Sequence, residues 1–216
     1  MGEDTNHNRL GIVDKIIYTV EHSLRVSEFS VAILPYLPNA LKREAESIQG
    51  FKEKLRFAGL HHDFDKGTGR WPEELLIGKR HPTQEEWEIY IYQHPIESAQ
   101  ALVNIDFTFS DKITIEMVAY HHVRFDGVDE GPYHGYPKGK VGANLRVGPR
   151  ILKPTDSLDA QLSKRAYRTK EKTVPEVIDD LFEKAGTEYD PGVVEAIYRF
   201  YKKKPDKFKA ISVMKE

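Results

Sequence analysis

Apolar residues recur along most of the chain at the three- and four-residue steps of an amphipathic helix. The run from Val13 to Leu24 predicts a first helix of about two dozen residues. A second helix is predicted over residues 40–63, whose apolar positions crowd together near its end, and another over residues 110–121, opened by Ser110-Asp111. The chain shows almost no strand pattern, so the predicted fold class is all-α.

Two kinds of start signal place the remaining helices. Thr83, with Glu86 three residues later, forms a capping box, which predicts a helix from Thr83 to about Leu102. Proline near the first turn is typical of helix starts, and Pro154 is expected at such a start or at a kink. The other predicted helices are Arg150–Lys164, Pro175–Ala185 and Pro191–Tyr201.

Residues 124–148 interrupt this pattern with eight glycines and prolines, too many for a helix or a strand. They are predicted to form a long ordered loop, and long loops in compact domains are often functional. No repeat, low-complexity tract or linker divides the sequence. One domain is therefore predicted over residues 1–216, with residues 1–10 as a flexible tail.

Composition, charge and the N-terminal sequence restrict the possible metal ligands, the possible binding partners and the cellular location. The chain has 9 histidines and no cysteine, which excludes disulfides, thiolate metal sites and a cysteine nucleophile and leaves imidazoles and carboxylates as metal ligands. The net charge of −2 gives no basic field to hold nucleic acid. The start MGEDTNHNRL lacks a signal-peptide pattern, and no apolar run approaches the ~20 residues of a membrane span. The sequence thus predicts a cytoplasmic protein that binds neither nucleic acid nor membrane.

Five predicted helices each carry a histidine or an aspartate, and a helical bundle can direct such residues to one centre. Each has an ordinary explanation when taken alone, as a surface or hydrogen-bonded residue. Residue spacing by itself therefore leaves metal binding and structural roles both open. The residues concerned are His22, the pair His62-Asp63, His94, the pair His121-His122, and Asp156 with Asp159.

At these positions the sequence resembles a known family. His62-Asp63 followed by Lys66 looks like the signature of the HD-superfamily phosphohydrolases, and the chain as a whole resembles their HD-GYP branch, associated with cyclic di-GMP phosphodiesterases. The matching segments follow the family's order from residue 22 to about residue 200. They include His22–Val26, Leu60–Lys66, Thr83–Trp87 leading to His94-Pro95, His121–Gly127, Gly135–Pro137, Asp156–Ala160, Arg165–Arg168 and Ala185–Pro191.

The resemblance implies a single HD-type helical bundle with residues 124–148 as its active-site loop. It also implies two divalent metal ions, iron favoured and manganese next, bridged by Asp63 and by a hydroxide that attacks phosphorus. One ion would bind His22, His62, Asp63 and Asp156, and the other Asp63, His94, His121 and His122. Asp63 and Lys66 would be catalytic, Lys66 by holding a phosphate oxygen. The substrate would be contacted by Lys66, Tyr136, Arg165 and Arg168.

The sequence departs from the family's pattern in three features. Seven residues, Val128 to His134, separate the Asp-Gly and Gly-Tyr-Pro parts, which are nearly contiguous in the family. Tyr18 stands where some members have a glutamate that supports a third metal, so two metals are expected. Asp65 occupies the place of the usual glycine before the signature lysine.

The leading function implied is a metal-dependent phosphodiesterase acting on cyclic di-GMP or a related cyclic dinucleotide. A phosphohydrolase for a nucleotide monophosphate or another small phosphoester is the second hypothesis, favoured by the stretched loop. A non-catalytic cyclic dinucleotide receptor is the third, although a receptor has no need of seven metal ligands. A protein signalling partner or a homodimer is compatible with each.

Three further residues have expected positions without an assigned role. His61 is expected on a helix face or beside a ligand, and His134 in the inserted loop. Asp159 is expected either behind a metal-binding imidazole or on an ordinary helix surface.

Overall fold

The structure is a computed structural model that describes residues 19–76, 79–104, 111–131, 134–163 and 172–214. Some sequence predictions lie outside these ranges and are not addressed by it. They are the tail 1–10, the start of the first helix including Tyr18, the opening Ser110, and the proposed substrate contacts Arg165 and Arg168.

The described residues are organised as helices and connecting loops, with no strand among them, so the all-α prediction is confirmed. Residues 19–32 form α1. Short helical turns at Leu34–Tyr36, Phe64–Thr68 and Gly142–Asn144, and a π-helical turn at Trp87–Ile91, connect the longer elements. The other helices are α2 (Asn39–Glu46), α3 (Phe51–His61), α4 (Glu73–Leu76), α5 (Gln84–Glu86), α6 (His94–Asn104), α7 (Lys112–Ala119), α8 (Val147–Leu162), α9 (Val174–Glu183), α10 (Pro191–Lys203) and α11 (Pro205–Ser212).

Helix α1 supplies one wall of the hydrophobic core. Val26 and Phe29 of α1, and Ile33 directly after its end, follow a three- and four-residue step and are fully buried, as an amphipathic helix requires. They belong to the same core cluster as Leu55 of α3 and Ile197 of α10. Burying each such side chain contributes about 1.5–3 kcal/mol. Of the apolar run predicted for the first helix, Val20 is 36% exposed and Leu24 is only partly buried, so the core face of α1 lies further along the chain than that run.

A glycine brings α1 and α3 close enough to share a site. A Cβ atom at Gly59 would lie 2.7 Å from the Ser27 Cα atom, which real side chains do not tolerate. Because only glycine fits, the end of α3 can approach α1 closely at Ser27. This contact places His62, at the C-terminal end of α3, beside His22 of α1.

The structure corrects several predicted boundaries. The single helix over 40–63 is two helices, because Gly50 adopts a left-handed conformation with φ of 66° just before α3. The capped helix from Thr83 is interrupted by the π-helical turn and starts again at His94. Helix α8 begins at Val147 rather than Arg150, so Pro154 lies inside it. Helix α11 was not predicted.

Two start signals and the long loop are confirmed. Thr83 and Glu86 form the capping box, and the Asp111 side chain accepts hydrogen bonds from the backbone amides of Ile113 and Thr114. The loop between α7 and α8 is anchored to the α9–α10 connection, where the Asp126 amide donates to the Thr187 carbonyl over 2.9 Å. In the described part of the chain, no helix is long and apolar enough to cross a bilayer.

Candidate metal centre

All seven predicted metal ligands converge on one place in the bundle. Helix α1 carries His22 and α8 carries Asp156, while the other five lie where α3, α6 and α7 begin or end. Five of the seven side chains are buried: His22, His62, Asp63, His94 and His121. The two partly exposed ones, His122 and Asp156, lie along the cavity that leads to the centre.

His22, His62 and Asp156 form a first triad, whose ligand atoms lie within 4.8 Å of one another. The Nε2 atom of His22 is 3.1 Å from Asp156 Oδ1 and 3.3 Å from His62 Nε2. Two imidazoles and a carboxylate at this spacing are a donor set for a divalent transition metal.

His94, His121 and His122 form a second triad within the same 4.8 Å limit. Its closest approach is 3.3 Å, between His94 Nε2 and His121 Nε2. The second triad adjoins the first, because His122 Nε2 lies 3.7 Å from Asp156 Oδ2.

Asp63 stands between the two triads and turns one carboxylate oxygen toward each. Its Oδ2 atom is 3.6 Å from the Nε2 atoms of both His22 and His62. Its Oδ1 atom is 3.2 Å from His94 Nε2. Oδ1 is buried and has no hydrogen-bond partner among the residues that the structure describes, and buried carboxylate oxygens are normally satisfied by a donor or by a metal ion.

Backbone carbonyls fix the orientation of three of the imidazoles. In His62, His94 and His121 the Nδ1 atom donates to the carbonyl three residues earlier, so a neutral ring carries its lone pair on Nε2. The acceptors are Gly59 at 2.8 Å, Ile91 at 2.8 Å and Val118 at 2.6 Å. The lone pair of each Nε2 atom is thereby available to a metal ion at the centre.

The histidines of the second triad are neutral. Burial, together with the charge of Lys66, lowers the pKa of His94. Burial and the neighbouring imidazoles lower the pKa of His121 and of His122 well below the usual range. The lone pairs of His94 and His121 therefore face each other over 3.3 Å, with an unsatisfied carboxylate oxygen beside them. A cation between these atoms would turn mutual repulsion into attraction, so the residues fit a metal ion.

His22 behaves differently because carboxylates surround it. Burial alone would lower its pKa, but hydrogen bonds to Asp156 and Asp159 raise the pKa of His22 to about 9. Its Nδ1 atom donates to Asp159 Oδ2 over 2.7 Å. Arg25 in turn donates to Asp159 Oδ1 over 2.6 Å. Asp159 thus lies behind a predicted ligand, the first of its two expected placements, and Arg25 is a contributor that the sequence alone did not reveal.

The two carboxylates of the centre are ionised. Burial would raise the pKa of Asp63, but Lys66 and His62 hold it well below its usual range. Burial opposes ionisation of Asp156 as well, and hydrogen bonds with His22 and His62 keep its pKa well below the usual value. The second triad thus combines neutral imidazoles with the ionised Asp63, the protonation states that metal binding requires, whereas His22 has to lose a proton when a metal ion binds to it.

Lys66 and Tyr136 lie at the mouth of the centre. Lys66 Nζ is 2.6 Å from Asp63 Oδ2, as expected for a lysine three residues after the aspartate. The Tyr136 ring stacks on His122 with centroids 4.5 Å apart. Both residues line a cavity of about 280 Å³, which also reaches Arg80 and Trp87.

Two histidines that the sequence left open have other partners. The His61 ring stacks on Phe57 at 4.1 Å and its Nδ1 donates to the Phe57 carbonyl, so His61 belongs to the face of α3. The His134 ring packs on Tyr92, with ring centroids 4.6 Å apart.

Lys153 supports the centre, although the sequence analysis did not identify it as a candidate. Its Nζ atom donates to the His122 carbonyl over 3.0 Å.

The chain belongs to the HD domain family, whose model, described as "HD domain", matches residues 25–193. The resemblance stated from the sequence is thereby confirmed. HD domains bind divalent metals, and the His/Asp clusters described above agree with that property.

Curated relatives point to one class of enzyme. A "Cyclic di-GMP phosphodiesterase" of Thermotoga maritima is 27% identical over 175 residues, which make up 81% of this chain and 44% of the relative. A "3'3'-cGAMP-specific phosphodiesterase 1" of Vibrio cholerae is 29% identical over 158 residues, 73% of this chain and 32% of the relative. The chain therefore spans less than half the length of these two relatives.

A solved structure shares the architecture. Bd1817, described as a HDG"Y"P protein from Bdellovibrio bacteriovorus, matches with a TM-score of 0.61 at 16% identity, covering 85% of this chain and 52% of that one. Likeness at this identity shows the fold, and it confirms the HD-type helical architecture.

Proposed function

We propose that the chain is a metal-dependent phosphodiesterase that hydrolyses cyclic di-GMP or a related cyclic dinucleotide. The observation that supports it most is the position of Asp63, with one oxygen facing the first triad and the other, unsatisfied, facing the second. The names of the relatives support the substrate class.

The two triads and Asp63 would hold a pair of divalent ions. His22, His62 and Asp156 would bind one ion, His94, His121 and His122 the other, and Asp63 both. A mixed imidazole and carboxylate set is compatible with iron, which we favour, and with manganese. Such a pair supplies a hydroxide nucleophile at neutral pH and polarises the phosphoryl oxygens of a diester.

The protein's own residues would bind and orient the substrate. The Lys66 ammonium projects into the cavity with its side chain 25% exposed, so it can exchange its contact with Asp63 for a phosphate oxygen and offset the charge that develops there. Tyr136 would pack against the substrate from its place on His122. Arg165 and Arg168 stay proposed phosphate or base contacts from the sequence resemblance.

Hydrolysis of a nucleotide monophosphate or another small phosphoester is a second candidate. The cavity volume of about 280 Å³ favours a small substrate, because it lies at the lower end of the about 300–1,000 Å³ that ligand pockets usually have. A cyclic dinucleotide would therefore extend beyond the cavity onto the surrounding surface.

One assay separates these functions. Anaerobically purified protein would be analysed for metal content and then offered cyclic di-GMP, 3'3'-cGAMP, a nucleotide monophosphate and a small aryl phosphodiester, with products resolved by chromatography. The proposal expects close to two metal ions per chain and cleavage of a cyclic dinucleotide. Binding of the dinucleotide without cleavage by metal-loaded protein would contradict it and favour a receptor, and cleavage of monoesters alone would favour the second candidate. The cytoplasmic location and a protein partner or homodimer stay predictions.

A further inference from the structure

Asp65, which stands where the family usually has glycine, is buried and makes two side-chain contacts through one oxygen. Asp65 Oδ2 accepts a hydrogen bond from Trp71 Nε1 over 2.8 Å and from Arg70 Nη2 over 2.7 Å. Only 5% of Asp65 is exposed. A glycine at this position would offer neither contact, so this carboxylate is a feature of this chain's own sequence.

The bond to Asp65 places the Trp71 ring beside the signature lysine. Trp71 is 4% exposed and lines the metal-centre cavity. Its ring centroid is 5.6 Å from Lys66 Nζ and 5.9 Å from the centroid of the His94 ring. An ammonium within about 6 Å of an indole is attracted to it, so the ring favours the observed position of the Lys66 ammonium.

The same segment is tied to the helix that carries His94. The Asp65 amide donates to Ser98 Oγ over 3.0 Å, and Ser98 is fully buried on α6. The Lys66 amide donates to the Asp63 carbonyl over 2.9 Å. Asp65 is therefore held on its backbone side as well as through its carboxylate, and it is a fixed point from which Trp71 can be oriented.

We propose that Asp65 and Trp71 are positioning residues for Lys66, and we call them the Asp65–Trp71 bracket. Asp65 orients the indole, and the indole holds the Lys66 ammonium where it can reach both Asp63 and a phosphate in the cavity. Neither bracket residue is assigned a contact with the reacting atoms. The inference rests on the proposed function, since it takes Lys66 as a catalytic residue of a phosphodiesterase.

A double-mutant cycle tests the bracket through turnover. Asp65→Ala and Trp71→Leu should each lower kcat roughly tenfold, with metal content unchanged. In a Lys66→Ala background the same substitutions should change kcat by less than about twofold, because the group that they position is absent. Asp65→Asn should retain most of the turnover, since its amide oxygen can still accept from the indole.

Two controls separate the bracket from general destabilisation. Arg70→Gln removes the other partner of Asp65 and leaves the indole bond intact, so kcat should stay within about twofold of the parent value. Glu195→Ala removes an exposed carboxylate paired with Arg199 on α10, a helix that lines no part of the cavity, and should also leave kcat unchanged. Equal fractional losses in the Lys66 and Lys66→Ala backgrounds, or loss of metal from Asp65→Ala, would overturn the bracket in favour of a structural role.

A spectroscopic readout keeps the inference independent of the proposed activity. The chain has 2 tryptophans, so Trp87→Phe leaves Trp71 as the sole indole. In that protein, Asp65→Ala should shift the emission of Trp71, and Lys66→Ala should change its intensity, while Glu195→Ala should do neither. Unchanged emission in both of the first two variants would overturn the bracket. If the parent protein cleaves no phosphodiester while both emission changes appear, the proposed function fails and the bracket geometry stands.

Discussion

Lys66 Nζ lies 2.6 Å from Asp63 Oδ2, the oxygen that also faces the first triad. The contact joins the signature lysine directly to the carboxylate that lies between the two triads. Asp63 is almost fully buried, whereas the Lys66 side chain is 25% exposed, so the ammonium is the part of this pair that a substrate can reach. The pair thus connects the interior of the centre to the cavity.

Removing the ammonium should impair turnover and spare the metals. We predict that Lys66→Ala loses about 10²–10³ in kcat, the usual effect of deleting one donor that stabilises developing charge. Lys66 is not a metal ligand in this account, so metal content should match that of the parent protein. Steady-state kinetics and elemental analysis of the same preparation check both parts, and unchanged turnover would make Lys66 an ordinary surface lysine.

Asp159 should tune the first triad from behind. It accepts from His22 Nδ1 over 2.7 Å and from Arg25, and partners of this kind commonly contribute 10–100-fold in metal affinity. We predict that Asp159→Asn weakens metal binding by about that factor, measured by competition with a chelator. Asp180→Asn, which alters a carboxylate on α9 that accepts from Gln161, is the matched control. Equal metal affinity in both variants would contradict the role given to Asp159.

The metal-free protein should lose stability as the pH rises through the titration of His22. The pKa of His22 is raised from 6.5 to about 9 in the folded state, by hydrogen bonds to Asp156 and Asp159 that outweigh burial. Because protonated His22 interacts favourably in the folded state, it stabilises the fold fully when the pH is below the unfolded pKa of 6.5. This stabilisation is lost as the pH rises through the folded pKa of about 9. Thermal unfolding of the metal-free parent and of metal-free His22→Gln, each measured below pH 6.5 and above pH 9, checks this. Between the two pH values, the Tm of the parent should fall more than the Tm of His22→Gln. Parallel falls in Tm would refute the prediction.

The stretched loop should control access rather than bind metal. The Gly135 amide donates to the Val128 carbonyl over 2.8 Å, so the two ends of the insertion meet, and Asp129 accepts from the amide of Gly139. Replacing residues 128–134 with one serine should leave metal content unchanged. It should shift the ratio of activity on cyclic di-GMP to activity on small phosphoesters, because His134 packs on Tyr92 and Tyr92 on Tyr136. Loss of a metal ion would instead show that the loop supplies a ligand.

Local signals in the sequence predicted helices well where a side chain satisfies a backbone group, as at Thr83 and Asp111. They failed at Gly50, because the apolar positions on either side stay in helical phase and periodicity cannot reveal a break there. They also placed the start of α8 too late, since Val147 and Gly148 were assigned to the glycine-rich loop.

The residues of the candidate metal centre were predictable because their types and order follow a family pattern, and the structure brings them together. The groups that support them were harder to predict, since their roles depend on neighbours far away in the sequence. Lys153 contacts the carbonyl of His122 across 31 positions, and no local pattern signals such a contact. Asp65 offered the one visible clue, a carboxylate at a position where the family usually has glycine.

The bridging position of Asp63 is the centre of this account, and the metal content of two variants tests it most directly. Asp63 faces both triads, whereas Asp156 has been assigned to the first triad alone. Elemental analysis of anaerobically purified Asp63→Ala and Asp156→Ala should therefore show a greater loss of metal in Asp63→Ala than in Asp156→Ala, relative to the parent. If Asp63→Ala instead kept nearly all of its metal, with a metal content equal to that of Asp156→Ala, the bridging role would be contradicted.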